Sequence, residues 1–209
     1  MKRHPLFARV YARASVALED AGVRDHRIEL VGGLTGRVLE VGAGNGLNFQ
    51  HYPPSVSQVV ALEPEPYLRR LSQEAARKAP VPVRVVGGVA ERLPAPDGSF
   101  DAAVASLVLC SVRDQSAALA EIHRVLRSGG VLRFYEHVAA KGGRLRVLQR
   151  TLDATLYPHL SGGCHLFRPT VETIRSCGFE IGEVVEFDFR PCVLAAPAAP
   201  HVIGTAIRE

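Results

Sequence analysis

Three glycines at alternate positions, Gly42, Gly44 and Gly46, follow an apolar segment that ends at Val41. Because glycine has no Cβ, such a turn lets backbone N–H groups approach a bound ligand closely. An acidic residue, Glu40, stands two positions before the first glycine. A carboxylate there would repel a pyrophosphate but suit a ligand that carries an ammonium group. The spacing therefore predicts a loop that binds a nucleoside-like cofactor.

A second acidic residue, Glu63, ends the apolar run 59–62, about 20 residues beyond the glycine loop, where a ribose would offer two hydroxyls to one carboxylate. Dinucleotide enzymes usually have a third glycine at the position that Leu47 occupies here. Leu47 and Glu40 together argue against a nicotinamide-dependent oxidoreductase.

Candidate catalytic residues lie in the second half of the chain. His137 comes just after the predicted fifth strand, at the carboxyl edge of the sheet, and is a candidate base or substrate-orienting residue; a histidine bonded to a loop carbonyl is the alternative. His165 and His159, with Arg168, fall in a segment predicted to cover the pocket. Each could stabilise an anionic acceptor.

No metal site is predicted. The adjacent Cys164 and His165, even with His159, cannot easily place both side chains on one tetrahedral ion. Cys110 is interpreted as a buried apolar thiol, and Glu136 as a helix-cap or loop acid.

The elements that must position these residues alternate between strand and helix five times, which predicts an α/β fold with a doubly wound, mostly parallel, seven-stranded sheet. Predicted strands are 37–41, 59–62, 83–86, 100–106, 131–135, 179–187 and 201–207, the last antiparallel. Predicted helices include an amphipathic helix at 6–18, a short helix at 25–31, one from the glycine loop to residue 50, one ended by 128–130, one at 143–157 and one at 170–176.

The chain has 209 residues, of which 47% are hydrophobic, enough for one core and a single domain, 1–209. Residues 1–35 are expected to form a helical cap, 36–136 the cofactor-binding core, and 137–209 a substrate lid of helix and loop with the closing strands.

The net charge of +4 is thinly spread, and no basic stripe with interleaved aromatic residues is present, so nucleic acid is not an expected partner. The four cysteines form no CxxC pair and follow no evident secretory leader, which favours a reducing cytoplasm. No apolar run is long enough to span a bilayer. The expected partner is a small-molecule substrate, and a monomer or homodimer is the expected state.

With the glycine loop, Glu63 and the alternating elements in order, the chain resembles the class I S-adenosylmethionine-dependent methyltransferases over essentially its whole length. The strings LVLCSV (107–112), EHVAA (136–140) and Gly163-Cys164 are similar to the methyltransferase-like seven group, alkyl-thiol S-methyltransferases. The sequence departs from these families at three points. The amino-terminal membrane anchor of the eukaryotic members is not seen, 161–170 matches only in part, and Val89 replaces an acid that would bind adenine.

The resemblance implies S-adenosyl-L-methionine as cofactor and S-adenosyl-L-homocysteine as product. It implies that Glu63 contacts the ribose, that Pro64 or Leu68 packs adenine against Leu107, and that Ser106 faces the methionine end. The full set of implied cofactor-binding residues is Glu40, Gly42, Ala43, Gly44, Gly46, Glu63, Pro64, Leu68, Ala90, Glu91, Ser106 and Leu107.

The implied activity is methylation of a small apolar acceptor, with a thiol favoured. Methyl transfer from a sulfonium depends mostly on positioning, and a thiol already has a few per cent of reactive thiolate at neutral pH. The alternatives are an O-, N- or C-methyltransferase acting on a small metabolite or phospholipid headgroup, and a non-catalytic binding module with the same fold.

Overall fold

The computed structural model describes residues 5–155 and 157–209. One seven-stranded sheet has the order β3-β2-β1-β4-β5-β7-β6. The strands are β1 (Gly36–Val41), β2 (Val56–Leu62), β3 (Val83–Val86), β4 (Phe100–Ser106), β5 (Leu126–His137), β6 (Phe179–Asp188) and β7 (Pro200–Arg208). Strands β1 to β5 pair in parallel, and β7 lies antiparallel between β5 and β6. The predicted fold class is confirmed, including the antiparallel last strand.

Helices cover both faces of the sheet, which explains why β4 is a nearly continuous apolar run. The helices are α1 (Pro5–Leu18), α2 (Arg24–Val31), α3 (Pro66–Ala76), α4 (Gln115–Val125), α5 (Gly143–Asp153), α6 (Tyr157–Leu160) and α7 (Thr170–Ser176). Asp114 caps α4 as its position suggests, with its carboxylate accepting the N–H of Ala117. No described helix is long and apolar enough to cross a membrane.

The helix predicted from the glycine loop to residue 50 does not form. A short 3₁₀ turn, Phe49–His51, takes its place. Only a few residues separate Gly46, in the left-handed region, from Pro53, and neither residue continues a helix. The turn buries Asn48 and Phe49 beneath the loop.

The glycine pair at 129–130 lies inside β5 and does not end α4, contrary to the prediction. Leu126 is already extended and pairs with Phe100, and the register then shifts before Val131 pairs with Ala102. Gly129, with a φ of 72°, lies in the irregular stretch of β5 that holds the extra residues.

The helix predicted at 143–157 ends at Asp153, and residue 156 lies outside the described residues. The Asp153 carboxylate accepts the N–H groups of Leu166 and Phe167 at 2.6 and 3.0 Å. These bonds tie the end of α5 to the segment that returns to the sheet, which includes Cys164. The chain therefore turns back where a longer helix would have carried it away.

Helix α1 forms as predicted but buries a different face. Leu6 and Val10 are 76% and 57% exposed, whereas Ala8 and Ser15 are buried. The Asn45 side chain donates to the Ser15 hydroxyl at 3.1 Å. The helix therefore contacts the glycine loop through Ser15 and Tyr11.

Candidate active site

The glycine loop at the end of β1 is tightly packed. Gly42, Gly44 and Gly46 have φ values of 66°, 57° and 82°, a region that favours glycine. A Cβ added at Gly42 would lie 2.2 Å from Cγ2 of Val108, in the loop after β4. Glycine is therefore required at this position for both conformation and space. The loop provides the kind of backbone cradle that a nucleoside cofactor needs.

Glu63 extends from the end of β2 towards this loop. Its carboxylate accepts the N–H groups of Gly44 and Glu65, both at 2.8 Å. Burial raises the pKa of Glu63 to about 7. The carboxylate thus supports the glycine loop, and its contact with a ribose stays a prediction.

Glu40 is buried and bonded to protein groups. Its carboxylate accepts the Asn48 side-chain amide at 3.0 Å and the Tyr52 hydroxyl at 2.7 Å. Burial raises the pKa of Glu40 to about 7, although both donors oppose the shift. Both oxygens of Glu40 are thus engaged by buried protein groups, and its direct contact with a cofactor stays a prediction.

Sequence analysis missed Arg27, which joins α2 to this site. Its guanidinium is buried and donates to Glu19 at 2.8 Å, to Asn48 at 2.9 Å and to Ser106 at 3.4 Å. Ser106 was predicted to face the methionine end of the cofactor. The buried Arg27 guanidinium beside Ser106 could contact the carboxylate of the methionine end. Arg27 lies 79 positions from Ser106 in the sequence, so no local pattern connects the two residues.

Helix α1 lies across the site. A Cβ added at Gly44 would lie 3.4 Å from the Tyr11 hydroxyl, and one added at Gly162 would lie 2.3 Å from the Phe7 ring. Burial raises the pKa of Tyr11, with Arg27 opposing this effect and both Glu63 and Cys110 adding to it. The Tyr11 side chain thus packs against the glycine loop.

The residues predicted to hold adenine are placed as follows. Leu68 and Ala90 are buried, and Leu107 has a φ of 53°, a strained value for a residue with a side chain. Glu91 accepts the N–H groups of Arg113 and Asp114, so its carboxylate supports the turn before α4. Adenine contacts by these residues, and by Pro64, stay predictions.

Glu136, at the end of β5, anchors the loop that follows β4. It is fully buried, and its carboxylate accepts the N–H groups of Val108 and Leu109 at 2.9 and 2.8 Å and that of Cys110 at 3.3 Å. Burial raises the pKa of Glu136 well above its usual range. Glu136 therefore fixes the loop that carries Cys110, a role close to the predicted loop acid.

Three side chains meet beside this loop: Cys110, His137 and Cys164. One ligand atom from each lies within 4.8 Å of the others, and Nε2 of His137 lies 2.9 Å from Sγ of Cys164. The hydrogen bond with Cys164, and then the His137 imidazole, hold the pKa of Cys110 well below its usual range. Burial lowers the pKa of His137, but the charge of Cys110, the hydrogen bond with Cys110 and the charge of Asp153 together raise the pKa overall.

The other predicted catalytic residues lie around this cluster. The His165 side chain is 38% exposed, and its imidazole lies 3.5 Å from the Asp153 carboxylate. The backbone N–H of His165 donates to the Cys110 carbonyl at 2.9 Å. Arg168 donates to the carbonyls of Leu109 and Val112, both at 2.6 Å. His159 is exposed on α6. Of these side chains, His137 alone is brought into the cluster.

The fold and the glycine loop define this protein's class. A methyltransferase domain model matches residues 39–134. A solved structure of geranyl diphosphate methyltransferase in complex with SAM has a TM-score of 0.68 over 90% of this chain and 85% of that chain, at 13% identity, a similarity of fold alone. The protein is an S-adenosylmethionine-dependent methyltransferase with the class I fold.

Two human proteins identify the family. The thiol S-methyltransferase TMT1B is 35% identical over 182 residues, covering 84% of this chain and 73% of that protein. The thiol S-methyltransferase TMT1A is 33% identical over 180 residues, covering 82% and 70%. The chain belongs to the family of TMT1A and TMT1B, which confirms the resemblance found in the motifs.

Proposed function

We propose that this protein methylates the sulfur of a small, fairly apolar thiol. The observation that carries the proposal is the meeting of two thiols and an imidazole at Cys110, His137 and Cys164, which we call the acceptor end of the site. The adjacent carboxylate, Glu136, is engaged by three backbone N–H groups and is not available as a base for a phenol or amine. The names of the two human relatives support the same acceptor.

The proposed cofactor contacts follow the predicted set. The backbone of Gly42 to Gly46 and the carboxyl of Glu63 would hold the nucleoside, with Pro64, Leu68 and Leu107 beside the base. Arg27 and Ser106 would meet the amino acid end. When bound, S-adenosylmethionine supplies an electrophilic methyl group on its sulfonium.

The chain's own residues would then position the acceptor. Orientation alone contributes on the order of 7–11 kcal/mol in such displacements, so a rigid acceptor site supplies much of the catalysis. His137 would keep the acceptor sulfur in its anionic form, because a nearby imidazole favours thiolate. Arg168 would add positive charge from behind the loop, and the His165 backbone would help to fix Cys110 from the outer side.

The enzyme is further proposed to act in the cytoplasm on a small molecule, as a monomer or homodimer. The division into a cap (1–35), a core (36–136) and a lid with closing strands (137–209) belongs to the same proposal. The contacts of α1 with both the glycine loop and Gly162 support a cap that must move for ligands to enter.

The test offers the protein S-adenosylmethionine with matched acceptors, an alkyl or aryl thiol beside the corresponding phenol and amine. S-adenosylhomocysteine release and product mass are measured. Turnover confined to the thiol is expected. Turnover of the phenol or amine alone would replace the proposal by an O- or N-methyltransferase, and binding without turnover of any acceptor would favour a binding module.

A further inference from the structure

The cluster of Cys110, His137 and Cys164 unites three segments of the chain: the loop after β4, the end of β5 and the segment before α7. Cys110 and His137 are buried, and Cys164 is partly buried. Two sulfur atoms and one imidazole nitrogen lie within 4.8 Å of one another. Both cysteines are free thiols.

This donor set matches the preferences of one metal ion. Two thiolates and one imidazole are typical zinc ligands, and three protein ligands with one open position are typical of catalytic zinc sites. Tetrahedral zinc with its usual bond lengths separates such atoms by about 3.5–3.8 Å. The 2.9 Å contact between His137 and Cys164 must open by about half an ångström to admit the ion, a small displacement.

The three residues are held in place by contacts outside the cluster. The Cys110 backbone is fixed on both sides, since its N–H donates to Glu136 and its carbonyl accepts the N–H of His165. The Cys164 carbonyl accepts the Ser161 hydroxyl at 3.1 Å. His137 is in register with His201 in the β5–β7 pair. A site supported in this way is preorganised for a ligand.

His165, the residue after Cys164, is not part of the cluster. The His165 imidazole turns outward to Asp153, so the adjacent Cys164 and His165 do not share one centre. The sequence-based objection to a metal at Cys164 therefore applies to the pair 164–165 and not to the cluster that the fold assembles.

We propose that Cys110, His137 and Cys164 bind one Zn²⁺ ion and that its fourth position receives the acceptor thiol. The three-residue site stands on its own geometry, whereas the role in activating the acceptor rests on the proposed function. On binding zinc, the acceptor releases its S–H proton to solvent and keeps both electrons on sulfur. That electron pair forms the new S–CH₃ bond as the methyl–sulfonium bond breaks towards the leaving sulfur.

The site is tested with metal alone. The full-length protein is stripped of metal under reducing conditions and titrated with Zn²⁺ and, separately, with Co²⁺, whose thiolate charge-transfer absorption reports sulfur ligation. The variants are Cys110→Ser and Cys164→Ser. The matched control is Cys177→Ser, because Cys177 is a partly buried cysteine at the carboxyl end of α7 whose sulfur contacts the Ser116 carbonyl.

One equivalent of zinc and a charge-transfer band are expected for the wild type and for Cys177→Ser. Cys110→Ser and Cys164→Ser should each weaken zinc binding by more than about 100-fold. Loss of a residue that only supports a ligand weakens metal binding by at most about 100-fold, so a larger loss indicates a direct ligand. S-adenosylmethionine binding by every variant is measured in parallel and should persist, which shows that the protein is folded.

Failure to bind zinc, or equal binding by the Cys110→Ser and Cys164→Ser variants and wild type, overturns the site. Full thiol methylation by the metal-free protein overturns the activating role while leaving the proposed function intact. Zinc binding as expected with turnover of phenol or amine alone overturns the proposed function, and the activating role with it, and leaves the zinc site standing.

Discussion

The glycine loop and Glu63 of the proposed cofactor end lie within residues 40–63, whereas the proposed acceptor end joins residues that are far apart in the chain, with His137 and Cys164 alone separated by 27 positions. In the glycine loop, backbone conformation and the Glu63 carboxylate determine the local geometry. At the acceptor end, three side chains depend on a carboxylate anchor and a returning segment. Each residue of the cluster lies in one of the strings that carry the resemblance, but no local pattern shows that the three strings meet.

Gly42 provides the strongest test of the cofactor end. The Gly42→Ala variant combines a left-handed backbone with a Cβ that overlaps Val108. Calorimetry should show S-adenosylmethionine affinity reduced roughly 100-fold, equivalent to about 2.7 kcal/mol. Gly129→Ala is the matched control, because Gly129 also has a positive φ of 72° but no atom within 4 Å of an added Cβ. Equal loss of binding in both would mean that backbone strain, and not contact at the loop, is responsible.

A variant of Glu63 tests whether a side chain, in addition to the glycine loop, contributes to cofactor binding. Glu63→Ala leaves the N–H groups of Gly44 and Glu65 without their acceptor and removes the proposed ribose contact. Hydrogen bonds to charged groups contribute about 1.5–3 kcal/mol, so cofactor affinity should fall about 10- to 100-fold. Glu74→Ala, on an exposed position of α3, should bind normally. Unchanged affinity in Glu63→Ala would remove Glu63 from the site.

A variant of Glu136 tests whether the cofactor end and the acceptor end act independently. Glu136→Gln places an amide NH₂ against the backbone N–H groups of the loop after β4. We expect kcat for thiol methylation to fall about 10-fold, with the affinity for S-adenosylmethionine changed less than about twofold, since this residue positions the loop and does not touch the glycine turn. Glu172→Gln, exposed on α7, is the control. A parallel loss of cofactor affinity would show that the two ends are not independent.

The smallest expected effect concerns pH and Glu40. Burial raises the pKa of Glu40 to about 7, so the folded protein keeps a proton that the unfolded chain loses near pH 4.5. Stability should therefore fall as the pH rises from about 4.5 to 7. Glu40→Gln should make this fall shallower in thermal unfolding measured across that range, whereas the exposed control Glu180→Gln should not. An unchanged slope in Glu40→Gln would contradict the assignment.

Local pattern correctly predicted most elements of the fold. The strand at 83–86, the cap at Asp114 and the short helix at 170–176 depend on residues near one another in sequence. The helix predicted to end at residue 50 failed for a local reason, the closeness of Gly46 to Pro53, whereas the error at 129–130 arose where a distant contact overrode local preference. The glycine pair at 129–130 remained in β5 because Leu126 pairs with Phe100.

The amino-acid sequence by itself determined the sheet, the glycine loop and the carboxylate at Glu63, because steric limits on the backbone and alternating apolar segments act over short distances. Only the tertiary structure decided which side chains meet at the acceptor end. The end of β5 brings His137 to the sheet edge, and the bonds from Asp153 turn the chain back so that Cys164 reaches it. Such a meeting depends on the path of the whole chain, since long-range packing, and not local conformation, sets the distance between these residues.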